Sequence, residues 1–350
     1  MIGDVLTSSI LFEALREQYP QAVLHYLIQK HTEPVVENNP FIDKLLPFDP
    51  KEDSTLAVAR RVKAEGYEVI IDVYSKLNSA LVTAFSGARE RISFHKWYTA
   101  PAYTRTFPLK EVLATNAGFA IENRMQLLQG LSSEFPLEIK PKIYLLEEEK
   151  KAAAERLQAE GISLQKPLLM ISILGSSGTK TYPPKYMAQI LDFIVAETGA
   201  QILFNYIPKQ LEEASELYEL CSAETQDHIH FEIFGRSLRD FIALTSHCDA
   251  LIGNEGGAVN MAKALNIPTF AIFSPQIKKE NWSIYEDGKQ NVSVHLRDFK
   301  PDLFKGFSKK ELLKKAPGFY ELLQPNLIFV KLKRFLENNL KQSFPKAPQI

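Results

Sequence analysis

A glycine-rich segment in the last third of the chain has the residue types that suit a phosphate group. Residues 249–275 begin with an apolar run, pass through a turn, and then read as a helix and a second apolar run; the turn contains Gly253, Asn254, Glu255, Gly256 and Gly257. Glycine permits positive φ and close backbone approach, and the unpaired N–H groups at a helix start favour an anion. The turn predicts a cradle for a diphosphate. The alternative is an ordinary tight connection between a strand and a helix.

A second polar loop has side chains suited to the same ligand. Residues 175–180 follow an apolar run and supply hydroxyl groups and a cation, from Ser176, Ser177, Thr179 and Lys180. Hydroxyls and an ammonium group together suit phosphate oxygens. The loop equally fits a polar cap for the helix that is expected to begin near Pro184.

Strand and helix patterns alternate along both halves of the chain, which predicts an α/β protein. Strands are expected at 22–28, 44–48, 68–73 and 91–94, and then at 168–174, 201–205, 228–233, 250–252 and 269–273. Helices are expected at 2–19, 55–65 and 76–85, and then from near residues 184, 209, 238 and 257. Such alternation favours parallel sheets with helices on both faces. A charged, helix-forming stretch at 146–160 sets the predicted boundary between domains at 1–155 and 156–350.

Composition limits the classes of function. With 350 residues, 45% of them hydrophobic, and a net charge of -1, the chain can form two cores and lacks the basic excess typical of nucleic-acid binding. No apolar run approaches the about 18 residues of a membrane span, so a cytoplasmic protein is expected. Residues 300–350 hold eleven Lys or Arg against four Asp or Glu. This basic end suits contact with an anionic lipid surface, or equally a solvated pair of terminal helices.

The start of the chain departs from the usual order of a doubly wound domain. Such a domain opens with a buried strand that leads into a glycine-bearing turn and the first helix. Here Gly3 and Asp4 follow almost directly on Met1, so the first strand is expected to be absent. Either Met1 is an internal methionine of a longer natural chain, or the fold tolerates the loss.

Several blocks, in order, resemble glycosyltransferase family 9, the lipopolysaccharide heptosyltransferases. In the first half these blocks are residues 2–26, 39–43, 67–72, 86–89 and 91–94. In the second half they are residues 173–177, the Lys-Thr-Tyr-Pro run at 180–183, and residues 238–275. The resemblance implies a GT-B type fold of two facing Rossmann-like, doubly wound domains, here without the first strand of the N-terminal domain. It places the acceptor on the first domain and the nucleotide sugar mainly on the second.

The resemblance also implies a reaction. A family member transfers a heptose, with inversion, from ADP-heptose to the lipopolysaccharide inner core at the cytoplasmic face of the inner membrane, and peripheral contact with that membrane fits this role. Asp4 matches the position of the family's proposed catalytic Asp and is the candidate base, although an Asp in a first helical turn also suits a cap. Lys180 and helix dipoles would stabilise the leaving group. The sequence has no Asp-x-Asp pair, so neither a metal nor another cofactor is expected.

Three residues of the nucleotide-sugar signature differ from the family pattern. This chain has Glu255, Gly256 and Asn260 where the family has Asp, Thr and a nearby His. The alternatives are therefore a GT-B enzyme that uses another nucleotide sugar, and a non-catalytic relative that only binds one. A dehydrogenase fits the alternation but would need Gly-x-Gly-x-x-Gly after an opening strand, which is lacking.

Cations and aromatic residues alternate along residues 91–110. The cations Arg91, His95, Lys96 and Arg105 stand among Phe94, Trp97, Tyr98 and Tyr103. Such a mixture suits an anionic saccharide, which makes the four cations the candidate acceptor-binding residues. The segment equally fits a loop that packs its aromatic rings and leaves its charges in solvent.

Overall fold

A computed structural model describes residues 2–340, and the last ten residues of the basic end lie outside them. The described chain divides into two compact units. Unit 1 comprises residues up to Tyr144 together with 280–284, and unit 2 comprises 145–279 and the residues from Tyr285 onward. The boundary predicted at 155/156 falls inside a helix of unit 2, Glu147–Ala159.

Unit 1 alternates helices and parallel strands. Its elements are α1 (Ile2–Ser8), α2 (Ile10–Gln18), β1 (His25–Gln29), β2 (Lys44–Phe48), α3 (Thr55–Ala64), β3 (Val69–Asp72), α4 (Leu77–Phe85), β4 (Glu90–Phe94), β5 (Arg105–Phe107) and α5 (Phe119–Leu127). Short 3-10 helices occupy Lys30–Val35, Ala100–Ala102 and Leu128–Gly130. The helix predicted over 2–19 is interrupted at Ser9. The hydroxyls of Thr7 and Ser9 donate to the carbonyls of Gly3 and Leu6, a contact that bends helices.

The sheet of unit 1 is divided in two. Strands β1 and β2 pair in one parallel sheet, and β3, β4 and β5 pair in another. A doubly wound sheet has the strand order 3-2-1-4-5-6, so removal of its first strand leaves a pair and a triplet in this arrangement. Within residues 2–340 the first strand is β1, and no strand precedes α1. Apolar side chains of α3 and α4, including Val58, Val62 and Val82, form a core against the first sheet.

Unit 2 is larger and has a single sheet. Its elements are α6 (Glu147–Ala159), β6 (Leu168–Ser172), α7 (Pro184–Thr198), β7 (Gln201–Phe204), α8 (Leu211–Leu220), α9 (Ala223–His228), α10 (Leu238–Thr245), β8 (Ala250–Asn254), α11 (Gly257–Ala264), β9 (Thr269–Ile272), β10 (Asn291–Val294), α12 (Leu296–Phe299), α13 (Lys309–Leu322) and α14 (Pro325–Asn339). Further 3-10 helices lie at Gly178–Lys180, Pro208–Gln210, Lys279–Asn281 and Pro301–Phe304. The sheet is parallel throughout, in the order β10-β9-β8-β6-β7. Helices α7 and α14 bury Ile190, Ile194, Leu332 and Phe335 against it.

The strand predicted at 228–233 is wrong. The hydroxyl of Ser222 accepts from the backbone N–H of Thr225 and caps α9, which extends to His228. Only Ile229 forms an isolated bridge, to Ile202. Two short strands were not predicted, β5 and the polar β10. In the described part of the chain no helix has the length and apolar character needed to cross a bilayer.

Candidate functional site

The two polar loops predicted to bind phosphate lie side by side in unit 2. One follows β6 and the other follows β8, and these strands are parallel neighbours whose residues Ser172 and Gly253 are paired. Because parallel strands end at the same edge of a sheet, the loops share its carboxyl edge, where open α/β sheets bind ligands. We name residues 175–180 the hydroxyl loop and residues 255–257 the glycine turn.

Asn254, directly before the glycine turn, hydrogen-bonds to the chain on both sides of the hydroxyl loop. Its side chain is fully buried, its Oδ1 accepts from the backbone N–H of Tyr182 at 2.7 Å, and its Nδ2 donates to the carbonyls of Ser172 and Ile173, both at 2.9 Å. An amide group has two donor hydrogens, and both are engaged here. Asn254 therefore positions the strand ends, and its predicted contact with a donor stays a prediction.

Two glycines are required by close backbone approach. Gly253 has φ +129°, and a Cβ there would lie 2.4 Å from the carbonyl oxygen of Ser172. A Cβ on Gly175 would lie 2.2 Å from the carbonyl oxygen of Lys180, across the hydroxyl loop. Gly256 differs, since its φ is +153° but a Cβ would meet nothing within 4 Å. Gly253 and Gly175 therefore permit the close backbone approach between the strands and within the hydroxyl loop. The space next to Gly256 is open.

Internal hydrogen bonds hold the hydroxyl loop in a compact form. The hydroxyl of Thr181 accepts from the N–H of Gly175 at 3.0 Å and donates to the carbonyl of Ser177 at 3.1 Å. The hydroxyls of Ser177 and Thr179 are 3.2 Å apart. Ser176 and Ser177 are exposed, whereas Thr179 is half-buried. The structure thus brings the predicted hydroxyls into one short loop.

Three residues that the sequence did not reveal support this loop. Ser274 Oγ and Gln276 Nε2 donate to the carbonyl of Thr179, at 2.9 and 3.3 Å. Tyr320, buried on α13, donates to the carbonyl of Lys180 at 3.4 Å. Ser274 and Gln276 follow the strand next to β8, which is the one signal that could have placed them near the site.

Lys180 faces the carboxylate of Glu255. The Lys180 Nζ lies 3.7 Å from Glu255 Oε1, which is too long for a hydrogen bond. Oε1 is buried and accepts no hydrogen bond within residues 2–340. Burial raises the pKa of Glu255, and the Lys180 ammonium opposes that rise. The cation of the hydroxyl loop therefore lies beside the glycine turn and the start of α11, where the helix dipole also favours an anion.

The burial of Glu255 predicts a pH-dependent stability. The raised pKa means that between its ordinary value of 4.5 and the raised value the folded chain binds more protons than the unfolded chain. The free energy of unfolding should therefore fall as pH rises through that window. We expect the free energy of unfolding of a Glu255→Gln variant, measured by urea unfolding from pH 4.5 upward, to fall less with pH than that of the parent chain. Glu321→Gln, at an exposed acid paired with Lys185, is the control and should follow the parent chain; equal slopes for both variants would contradict the prediction.

In unit 1, Asp4 is paired with a buried arginine. Arg124, on α5, donates from Nη2 to Asp4 Oδ1 at 2.9 Å, from Nε to Ser8 Oγ at 2.8 Å, and from Nη1 to the carbonyl of Ala120 at 2.7 Å. Burial lowers the pKa of Arg124, and the Asp4 carboxylate opposes this. The other oxygen, Asp4 Oδ2, accepts no hydrogen bond within the described chain. One carboxylate oxygen is thus held by Arg124, and the other is buried and has no hydrogen-bond partner among the described residues.

Two of the four candidate acceptor-binding cations are bound to backbone carbonyls. Arg91 donates to the carbonyls of Ala102 and Ala88, at 2.9 and 2.7 Å. Lys96 donates from Nζ to the carbonyl of Ser75 at 2.8 Å. These contacts fix the segment that follows β4, and the acceptor role of both cations stays a prediction.

The other two cations lie at the surface near β4 and β5. His95 Nδ1 is 3.0 Å from the hydroxyl of Thr106, and Arg105 Nε is 3.3 Å from Glu90 Oε2. Both side chains belong to exposed residues. In residues 2–340 no group of three or more His, Cys, Asp or Glu residues is arranged to hold a metal ion.

The order of strands, loops and site residues agrees with a known family. Residues 55–310 match the family model described as glycosyltransferase family 9 (heptosyltransferase). This chain belongs to glycosyltransferase family 9. Family membership makes it a glycosyltransferase and identifies both units as parts of a GT-B type α/β fold.

Individual relatives agree with the assignment. The chain is 26% identical over 289 residues to lipopolysaccharide heptosyltransferase 1 of Campylobacter coli, which covers 78% of this chain and 81% of the relative. The crystal structure of a family 9 glycosyltransferase from Veillonella parvula has a TM-score of 0.73 at 20% identity, covering 92% of this chain and 95% of the other. The E. coli heptosyltransferase WaaC with ADP has a TM-score of 0.66 at 14% identity, covering 95% of this chain and 97% of the other. These two structures share the fold of this chain.

Proposed function

We propose that this family 9 enzyme transfers a heptose from ADP-heptose to the inner core of lipopolysaccharide, on the cytoplasmic side of the inner membrane. The observation that carries the proposal is the pairing of the hydroxyl loop, with Lys180, against the glycine turn at the start of α11. Hydroxyls, an ammonium group and a helix start form a site for a diphosphate. The names of two relatives, a lipopolysaccharide heptosyltransferase and a heptosyltransferase solved with ADP, support the sugar and the nucleotide.

The proposed reaction is a single displacement with inversion. An acceptor hydroxyl attacks the anomeric carbon, the bond from that carbon to the diphosphate oxygen breaks, and the ADP leaves with the bonding electron pair. Asp4 Oδ2, which is buried and has no hydrogen-bond partner among the described residues, would take the proton of the hydroxyl, since Oδ1 is held by Arg124. Lys180 and the first-turn N–H groups of α11 would stabilise the charge that develops on the diphosphate. In this proposal the ammonium group takes the place of a metal ion.

The other predicted site residues also have proposed roles. The hydroxyls of Ser176, Ser177 and Thr179 would bind phosphate oxygens, and the buried carboxylate of Glu255 would accept from a hydroxyl of the ribose or sugar. Arg91, His95, Lys96 and Arg105 would bind the anionic acceptor. Asn254 would act through the position of the loops.

Calorimetric titration tests the donor. The protein is titrated with ADP and with UDP, and then with ADP-heptose and a UDP-sugar, and turnover is followed with a lipopolysaccharide core acceptor. We expect ADP to bind at least about ten-fold more tightly than UDP, which corresponds to about 1.4 kcal/mol of discrimination. A preference for UDP would mean another nucleotide sugar. Tight binding of ADP-heptose without turnover would mean a non-catalytic relative, and failure of a folded protein to bind either nucleotide would overturn the proposal.

A further inference from the structure

Helix α4 has an apolar face that is about half exposed in the described chain. Leu77, Leu81 and Phe85 follow one another at four-residue spacing and are 61%, 47% and 58% exposed. Residues four apart lie on the same side of a helix, so the three side chains form one row. The helix contains no charged residue along Leu77–Phe85, and its opposite side buries Ala80 and Val82. A surface helix ordinarily exposes polar and charged side chains, so this face requires an explanation.

Two further exposed aromatic residues belong to a segment that is hydrogen-bonded to the residues just before α4. Trp97 is 84% exposed, and its ring centroid lies 5.6 Å from that of Tyr98. The segment that contains them is tied to the residue pair before α4, because Lys96 Nζ donates to the carbonyl of Ser75 at 2.8 Å. We name the five residues Leu77, Leu81, Phe85, Trp97 and Tyr98 the α4 face.

The loop that leads into α4 is fixed by a buried carboxylate. Asp72 Oδ1 accepts from the N–H groups of Tyr74 and Ser75, both at 2.9 Å, and Oδ2 accepts from the hydroxyl of Tyr103 at 2.7 Å. Ser75 has φ +49°, a conformation that such contacts must hold in place. The apolar face is therefore presented by a well-supported backbone.

Cations flank the α4 face at both ends. Lys76 precedes the helix and lies 4.3 Å from the centroid of the Tyr74 ring, and exposed Arg89 follows the helix. The hydrogen bond that Lys76 donates to the Tyr74 hydroxyl raises the pKa of Lys76, and the charge of Asp4 acts in the same direction.

We propose that the α4 face docks on a bilayer that contains anionic lipid. An uncharged apolar row suits the acyl boundary, Trp and Tyr suit the interface between acyl chains and headgroups, and flanking cations complement anionic headgroups. The choice of lipid over protein rests on the proposed function, in which the acceptor is itself anchored in a membrane, and on the cations Lys76 and Arg89 that precede and follow the uncharged helix. Docking through this face brings the acceptor-side unit to the surface that holds the acceptor.

Vesicle binding tests the surface. The full chain is sedimented with vesicles of phosphatidylcholine alone and of phosphatidylcholine with phosphatidylglycerol. We expect binding that increases with phosphatidylglycerol and a partition coefficient that falls about 100-fold in the triple variant Leu77→Gln, Leu81→Gln, Phe85→Gln. Val23→Gln is the matched control, since Val23 is a 71% exposed apolar residue of unit 1 away from α4, and it should bind like the parent chain.

Tryptophan emission locates the contact. The chain has only two tryptophans, so in a Trp282→Phe background the emission reports Trp97. We expect a blue shift on addition of anionic vesicles and quenching by brominated acyl chains. The proposal would be overturned if the parent chain did not bind vesicles, or if the triple variant bound them as tightly as the parent chain. Loss of a dimer in the triple variant, seen by light scattering without vesicle binding, would instead make a second copy the occupant.

Turnover separates this inference from the proposed function. With a deacylated, water-soluble acceptor the triple variant should match the parent chain, whereas with a lipid-linked acceptor in vesicles it should be at least about ten-fold slower. Vesicle binding without turnover on either acceptor would reject the transfer reaction and keep the surface. Equal turnover of parent and variant on both acceptors would reject the surface and keep the reaction.

Discussion

An Asp4→Asn variant is expected to lose most of its transfer activity, with kcat about 10²- to 10⁴-fold below that of the parent chain. Asparagine keeps the shape of the side chain, and its oxygen can still accept from Arg124 Nη2. The position of Oδ2 would then carry an amide, which cannot take a proton from an acceptor hydroxyl. The measurement is single-turnover transfer at saturating donor, because it isolates the chemical step from binding.

The pairing with Arg124 requires a control for stability. The guanidinium is buried, so removing the carboxylate charge leaves a buried cation without its counter-charge, which in other proteins costs about 3–5 kcal/mol. Ser8→Ala removes a different contact of the same guanidinium, the bond from Nε, and leaves the carboxylate intact. We expect this control to lose about 1–2 kcal/mol of stability while keeping its kcat. A folded Asp4→Asn variant with parental kcat would exclude Asp4 as the base.

The local pattern of the chain was enough to predict most of the fold. Strands such as β6 and β8 are continuous apolar runs that end in glycine or polar turns, and this is the signature of a strand buried on both faces. The divided sheet of unit 1 follows in the same way from the absence of an opening strand. The failures had local causes as well. The segment 228–233, where a strand was expected, contains the last residue of α9 and then a single bridge at Ile229. Strand β10 contains the polar residues Asn291 and Ser293, whose side chains hydrogen-bond to Thr269 and Glu286.

The site was predictable only where its residues are close in sequence. The hydroxyl loop and the glycine turn are short segments with a recognisable composition, and their meeting follows from strand order. Arg124 lies 120 positions from Asp4, and no periodicity links them. Tyr320 lies 140 positions from Lys180. Contacts between residues far apart in sequence cannot be predicted from the local pattern of either segment. The residues that hold Asp4 and Lys180 in place could therefore be identified only from the structure.

Gly256, where the family pattern has Thr, also has a backbone conformation that favours glycine. The φ of +153° at Gly256 is one that residues with a side chain rarely adopt, although space is open around the position. A threonine, as in the family pattern, would therefore need a different turn as well as a hydroxyl. Glu255 lies in the same turn, with its Oε1 3.7 Å from Lys180 Nζ.

A Lys180→Ala variant is expected to bind ADP about 10- to 100-fold more weakly than the parent chain. Removing one charge-assisted contact to a phosphate costs about 1.5–3 kcal/mol, and the loss should appear in a calorimetric titration. Lys185→Ala is the matched control, because Lys185 is an exposed lysine at the start of α7 that pairs with Glu321 at 2.9 Å and should not affect ADP. Lys180→Ala also leaves the Glu255 carboxylate buried without its cation, so the double variant with Glu255→Gln should recover stability but not affinity. Recovery of ADP affinity in that double variant would show that Lys180 acts by neutralising Glu255, and unchanged affinity in the single variant would show a surface lysine with no part in binding.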